Sequence, residues 1–326
     1  MKRISMAIML TVWMAALAAC GGGNTGGSSS SSSGGGAGAS CPEPVGRAAG
    51  GNGASVSIGS KAFAEEQLLA TMTKLVLEKH GFNVTYTLQA KDTAIGNAVL
   101  SGQIDMLWQY TGTELTDPGY LGLSGIPTDL HQAFQLVAQK DEPRGLCWTS
   151  EAPMDDTNGL AIKASDKGTL GSTLSAFETY LAAHPSTKVC ILSEFRTRPD
   201  GLPGLESKYG AGYKNADYVD IGNTAEKNIA NGDCAAGEVF TSDSGIAANN
   251  LYVLQDDKKL FPPDNVGLMV RQSVLQKYPA IAALMAPVAA RITTQVITEL
   301  NAHVEINNQK VTDVAFRWLT DNGFLS

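Results

Sequence analysis

From residue 55 onward, short β-rich runs and segments of helical periodicity alternate, and the alternation occurs twice. Residues 55–59 form a short strand. Residues 64–80 then carry Leu68, Leu69, Met72, Leu75 and Val76 at helical spacing, and Gly81 follows as a natural stop. A β-rich run over 83–88, a helix over 93–100 and a strand over 104–110 complete the first set. The second set has strands over 160–163, 189–192, 218–221 and 236–240. Helices over 170–183, 204–209 and 224–230 separate them. A polar, proline-bearing stretch over 255–265 leads to a strand over 267–270 and helical segments from 274 to 324. Such a rhythm predicts an α/β chain whose sheets are mostly parallel and flanked by helices. By itself it suits many α/β enzymes as well as binding proteins.

The start of the chain bears on compartment. Lys2 and Arg3 precede an apolar run over 4–19, too short and too soon followed by polar sequence to be a stable membrane span. Leu17-Ala-Ala-Cys20 closes it with small residues before a cysteine. A positive start, an apolar stretch and a small-residue cleavage site predict a secretory signal over 1–19. The cysteine resembles that of a bacterial lipobox, so Cys20 is expected to be acylated and to become the new N-terminus. Residues 20–53 are dominated by Gly, Ser and Ala and are expected to form a flexible linker. Such a coil reaches about 30 Å. The expected location is extracytoplasmic, lipid-anchored to the outer face of the cell membrane, or the periplasm.

Of the 326 residues, about 270 remain after the linker, enough for two modest domains. A net charge of −8 argues against non-specific nucleic-acid binding. Setting Cys20 aside leaves Cys41, Cys147, Cys190 and Cys234, an even number in an exported chain, with three possible disulfide pairings. Cys190 lies in one predicted strand and Cys234 just before another, which favours Cys190–Cys234. Cys41–Cys147 follows by elimination. No zinc spacing occurs, and no metal or cofactor is expected. Gly-x-Ser-x-Gly, His-Glu-x-x-His and the phosphate-binding Gly-x-x-x-x-Gly-Lys-Ser/Thr are absent from the sequence, so an enzyme is not expected.

Five segments occur in order: Ile58-Gly-Ser-Lys-Ala-Phe-Ala-Glu-Glu, Tyr110-Thr-Gly-Thr, Arg198-Pro-Asp-Gly-Leu-Pro-Gly-Leu, Glu238-Val-Phe-Thr-Ser-Asp and Phe261-Pro-Pro-Asp-Asn. Together they resemble the glycine betaine/choline/carnitine-binding proteins of osmoprotectant ABC importers (ProX/OpuAC type), from about residue 56 to the C-terminus. The resemblance implies a two-lobed periplasmic-binding-protein fold of type II with ligand in the inter-lobe cleft. Lobe I is expected over 54–157 plus 264–326, and lobe II over 158–263. It further implies a monomer that closes on a small osmolyte and delivers it to a permease driven by a separate ATPase.

A trimethylammonium head has no N–H to donate, so aromatic faces hold it by cation–π attraction, while Lys, Arg and hydroxyl donors hold a carboxylate. On the matching motifs, Lys61, Tyr110, Thr113, Asp156 and Arg198 are the candidate tail-binding and lobe-bridging groups. Asp155 and Arg196 compete with their neighbours for these roles. The expected cage retains Tyr110 and Phe240. Two family tyrosines are replaced here, one by Asn158 and one by Asp264. Loss of two rings leaves a second reading open: the same fold with a diverged ligand, polar or phenolic, or a sensory binding lipoprotein. Trp108 and Trp148 read as packing residues, as do Tyr209, Tyr213 and Tyr218.

Overall fold

The structure, a computed structural model, describes residues 40–42, 50–88, 92–220 and 225–326. The signal segment over 1–19, Cys20 and most of the linker lie outside the described residues. In chain order, the first part contains β1 (Ser55–Ser60), α1 (Ala64–Lys79), β2 (Asn83–Leu88), α2 (Asp92–Leu100), β3 (Met106–Tyr110), α3 (Thr111–Thr116), α4 (Leu130–Asp141) and β4 (Leu146–Thr149). The second contains β5 (Asn158–Lys163), α5 (Lys167–Leu170), α6 (Leu174–Ala183), β6 (Lys188–Ile191), α7 (Leu202–Lys208), β7 (Asp217–Asp220), α8 (Ala225–Asn231), β8 (Ala236–Phe240), α9 (Ser244–Ala248) and β9 (Leu251–Val253). The chain then returns through β10 (Val266–Arg271) to α10 (Gln272–Lys277), α11 (Ala280–Ala289), α12 (Thr294–Glu305) and α13 (Val311–Asp321).

Two five-stranded sheets result, in the orders β2-β1-β3-β10-β4 and β7-β6-β8-β5-β9. Each is mixed rather than mostly parallel. The pairs β1–β2, β1–β3, β6–β7 and β6–β8 are parallel. The pairs β3–β10, β10–β4, β5–β8 and β5–β9 are antiparallel. The reason lies in the crossings. β5 and β10 each enter their sheet directly from the other lobe, so they run outward from the crossing while β8 and β3 run toward it.

Helix α1 follows its apolar stripe onto the first sheet. Leu68, Leu69, Met72, Val76 and Leu77 are all buried, and Gly81 ends the helix turn at a φ of +83°. This face also carries α11 to α13, and the opposite face carries α2 and α4. In the second sheet, Leu160 and Ile162 face α6 and α7, while Ala161 faces α8. Asp129, Thr173 and Thr293 cap α4, α6 and α12 by accepting backbone N–H bonds, satisfying donors that a helix start leaves unpaired.

The segment before residue 54 is attached to the body earlier than the linker reading implies. Cys41 is disulfide-bonded to Cys147, and its N–H donates to Glu142 Oε1 at 2.8 Å. Gly51 N–H donates to the His80 carbonyl and Gly53 N–H to the Gly81 carbonyl, both at 2.7 Å. A Cβ at Gly51 would lie 2.4 Å from the Phe82 ring, so glycine permits this close seat. A second disulfide joins Cys190 to Cys234, with Cα atoms 5.9 Å apart.

Candidate functional site

Three strand ends and one strand start converge where the chain crosses between sheets. β1 ends at Ser60 and hands over Lys61; β3 ends at Tyr110. From the second sheet, β8 ends at Phe240, and β5 begins at Asn158 directly opposite it in register. Ligands of open α/β sheets gather at such strand ends, because loops there are free to carry polar groups.

The two crossings are tied together. Asp156 N–H donates to the Asp264 carbonyl at 3.1 Å, and Asp264 N–H donates to Asp155 Oδ1 at 2.9 Å. Thr241 Oγ1 donates to the Asp155 carbonyl at 3.0 Å, and Thr157 Oγ1 to the Pro262 carbonyl at 2.6 Å. Asp155 is thus a crossing brace, and burial pushes its carboxyl upward.

Tyr110 is buried at the end of β3, in the core around the first sheet. Its hydroxyl donates to Glu65 Oε1. The Lys61 ammonium lies 4.8 Å from the centre of its ring, and Phe63 packs at 6.2 Å in a tilted arrangement. Lys61 Nζ donates to Gln109 Oε1 at 2.8 Å. Burial raises the Tyr110 phenol well above its usual range, and the Glu65 charge adds to this. The hydroxyl therefore stays protonated and remains a donor.

Glu65 is a hub that connects the lobes. Its Oε2 accepts from Ser242 Oγ at 2.7 Å and from Asn301 Nδ2 at 2.9 Å. Ser242 Oγ also lies 2.5 Å from Asp156 Oδ1. A hydroxyl has one proton, so it cannot donate to both carboxylates at once. One of the two carboxyls must carry the second proton. Burial first, and then the Glu65 charge, hold Asp156 well above the usual carboxylate range; burial also raises Glu65.

Asp264 occupies the start of α3. Its Oδ1 accepts from Gly112 N–H at 2.6 Å and Thr113 N–H at 3.2 Å, and its Oδ2 accepts from Thr113 Oγ1 at 3.1 Å. Burial raises its carboxyl to about 7, against the opposing pull of Arg198, the Thr113 N–H and Lys61. Arg198 itself forms a fork on Asp200, with Nε and Nη2 at 3.0 and 2.8 Å. Arg196, the competing choice, turns to the Tyr218 carbonyl.

Beside the crossings lies a cavity of about 340 Å³, bordered by Thr128, Asp155, Thr157, Asn158, Thr241 and Phe261 among others. Neither Lys61 nor Tyr110 nor Arg198 borders it. Asn158 is buried, and its Oδ1 lacks a hydrogen-bond partner.

Lys61, Tyr110, Thr113, Asp156 and Asp264 are therefore linked by contacts among themselves or through Glu65, Gln109 and Ser242. Arg198 joins through its charge on Asp264, whereas Asn158 and Phe240 pair with each other across β5 and β8 and have no hydrogen bond to this cluster among the described residues. Trp108 and Trp148 are core residues whose indole N–H groups donate to Thr73 and Asp141.

Residues 54–321 match the family described as the substrate binding domain of an ABC-type glycine betaine transport system. The chain belongs to that family. It is the substrate-binding component of an ABC importer. A glycine-betaine-binding protein of Pseudomonas aeruginosa is 32% identical over 282 residues, spanning 83% of this chain and 89% of its own. The glycine betaine-binding protein YehZ of Escherichia coli is 27% identical, spanning 82% of this chain and 91% of its own. The solved structure of apo YehZ superimposes with a TM-score of 0.63 over 82% of this chain and 99% of that one, at 27% identity. A glycine betaine/carnitine/choline ABC transporter structure shares the fold, with a TM-score of 0.68 over 83% of this chain and 100% of that one, at 21% identity.

Within this glycine betaine transport family member, the site contains residues that the motif reading did not assign. Glu65 and Phe63 lie inside the first quoted motif, and Ser242 inside the fourth, so proximity to Lys61 and Phe240 was an available signal. Asn301 sits on α12, far along the chain, and nothing local marks it.

Proposed function

We propose that this binding protein takes a quaternary ammonium solute between its lobes, closes on it and presents the closed form to a permease powered by a separate ATPase. The observation that carries the reading is the setting of Tyr110. Its ring lies buried at the end of β3, next to Phe63, with the Lys61 ammonium over it at 4.8 Å. A ring already facing a cation in a buried site has the geometry that a trimethylammonium head requires. The ligand head shares or displaces the Lys61 contact, and Phe240 and Asn158 border it from lobe II. Lys61, Thr113, Asp156, Arg198 and Asp264 form the polar side of the site. The relatives are transport binding proteins, and the chain acts as one rather than as an enzyme. Lobe I corresponds to 54–157 with 264–326, and lobe II to 158–263. The protein acts as a monomer outside the cytoplasm, held to the membrane by acylated Cys20.

Isothermal titration tests this reading. The detergent-solubilised full chain is stripped of carried-over ligand by unfolding with its disulfides intact, then refolded. Glycine betaine, choline, carnitine and proline betaine are titrated in turn. Binding of at least one of them in the micromolar range is expected. Binding of none, by a protein whose melting transition has returned, contradicts the reading.

The orphaned Asn158 Oδ1 favours a second reading, in which the ligand is a more polar or phenolic solute that donates a hydrogen bond there. Binding of such a solute with no quaternary ammonium binding would support it.

A further inference from the structure

The polar side of the site already contains a carboxylate. Asp264 takes both backbone N–H groups at the start of α3, Gly112 at 2.6 Å and Thr113 at 3.2 Å, together with the Thr113 hydroxyl at 3.1 Å. Lys61 and Arg198, the two cations suited to a ligand's acid group, both bear on Asp264 electrostatically. Arg198 is further committed to Asp200 through its fork. The close seat depends on Gly112. A Cβ there would lie 3.0 Å from Asp264 Cγ and Oδ1, and 2.9 Å from the Pro263 carbonyl oxygen. The loop carrying Asp264 is thus fitted to the donor cradle.

An incoming ligand carboxylate would need those same donors. To reach them it must displace Asp264, leaving one buried carboxylate without partners, or lie beside it and suffer like-charge repulsion. A ligand hydroxyl faces neither cost. It can donate to a carboxylate oxygen of Asp264, and at Asn158 Oδ1 it supplies the donor which that buried acceptor lacks. Both positions that depart from the expected ring cage therefore present acceptors.

We propose that Asp264 is a specificity-determining residue that fills the anion cradle with the protein's own carboxylate, so that the site selects a quaternary ammonium alcohol over a carboxylate-bearing betaine. This rests on the reading that the site takes a quaternary ammonium ligand, and it names the class. Choline has the cation and the hydroxyl; glycine betaine has the cation and the carboxylate; carnitine has all three. The three probes separate the need for a hydroxyl from the rejection of a carboxylate.

The test is calorimetric titration of the ligand-stripped full chain and its Asp264→Asn variant with these three compounds at about pH 8.5, above the value of about 7 to which burial raises Asp264, so that the carboxyl is ionised. The wild-type protein is expected to bind choline about tenfold or more tighter than either glycine betaine or carnitine. Asp264→Asn keeps the size and an acceptor oxygen but removes the charge. It is expected to weaken choline and strengthen glycine betaine, shrinking their ratio by about tenfold. Wild-type binding of glycine betaine or carnitine as tight as that of choline overturns the proposal without using any variant. So does an unchanged ratio in a folded Asp264→Asn protein. If neither these three nor proline betaine binds to the refolded wild-type chain, the quaternary ammonium reading falls and this proposal falls with it. A preference for the betaine overturns the proposal alone.

Discussion

Glu65 shows how one buried side chain can serve fold and site together. It accepts from Tyr110, Ser242 and Asn301, which come from β3, the end of β8 and α12. Removing the phenol hydroxyl tests this directly. Tyr110→Phe retains the ring but leaves Glu65 Oε1 without its donor, so a loss of about 1–3 kcal/mol in stability is expected. Ligand affinity should change by no more than about threefold, because the cation–π face is kept. Tyr110→Ala removes the face as well, and affinity should fall roughly thirtyfold, corresponding to a desolvated cation–π contact of about 2 kcal/mol. Chemical denaturation and calorimetry on the two variants separate the two roles. Equal affinity losses in both would show that the hydroxyl, not the ring, matters to the ligand.

At the scale of elements, the attachment of residues 40–42 is the feature that a compositional reading underrates. Glycine and serine around it suggest free coil, yet Cys41 closes a loop of 106 residues onto β4. Replacing Cys41 and Cys147 by serine should cost about 2–4 kcal/mol, or roughly 5–15 °C in Tm for a body of this size. Differential scanning calorimetry would read it, and an unchanged Tm would mean that the bridge adds nothing to the fold. The strong periodicities were legible in advance: α1, β1, β3, β8 and β10 all lie where apolar spacing places them. Shorter elements were not. β4, β9 and α3 have three to six residues, too few for a period to declare itself, and α3 begins directly from β3 without a break. α4 has 12 residues but only Ala133, Val137 and Asp141 buried, so its stripe is thin. Sheet direction was partly illegible because it depends on which lobe a strand arrives from. For the site, motif positions indicated Lys61, Tyr110, Thr113 and Asp264. That Asp264 turns its carboxylate into the α3 cradle depends on the path of the crossing, which brings Asp264 so close that a Cβ at Gly112 would lie 3.0 Å from its carboxyl, and no local pattern in the sequence marks that approach.

Across the whole molecule, several buried acids are held above their usual range. Ser244 on α9 donates to Glu305 on α12 at 2.9 Å, and the Glu305 charge adds to the rise of the neighbouring Asp243 carboxyl. Burial, then the Glu226 charge, pushes Asp243 to about 8; burial alone is the main cause that lifts Glu238 to about 8. Asp264 and Glu114 are raised to about 7, again chiefly by burial. For an acid whose folded pKa exceeds its unfolded value, the folded state holds more protons, so stability falls as pH rises between the two. The stability these groups contribute is complete below about pH 4 and is lost on passing through about pH 7–8. Tm should therefore drop by several degrees between about pH 5 and about pH 8.5, and Asp243→Asn should flatten the slope. A Tm that rises over that range would contradict the assignment.

The central claim is that the ligand is a quaternary ammonium solute held at Tyr110 between the lobes. The most direct measurement is a crystal structure of the ligand-stripped protein grown with whichever of choline or glycine betaine binds more tightly. The account predicts the trimethylammonium head against the Tyr110 ring, with Phe240 and Asn158 approaching from the second sheet. Ligand density confined to the cavity beside Thr128 and Phe261, with Tyr110 untouched, would contradict it.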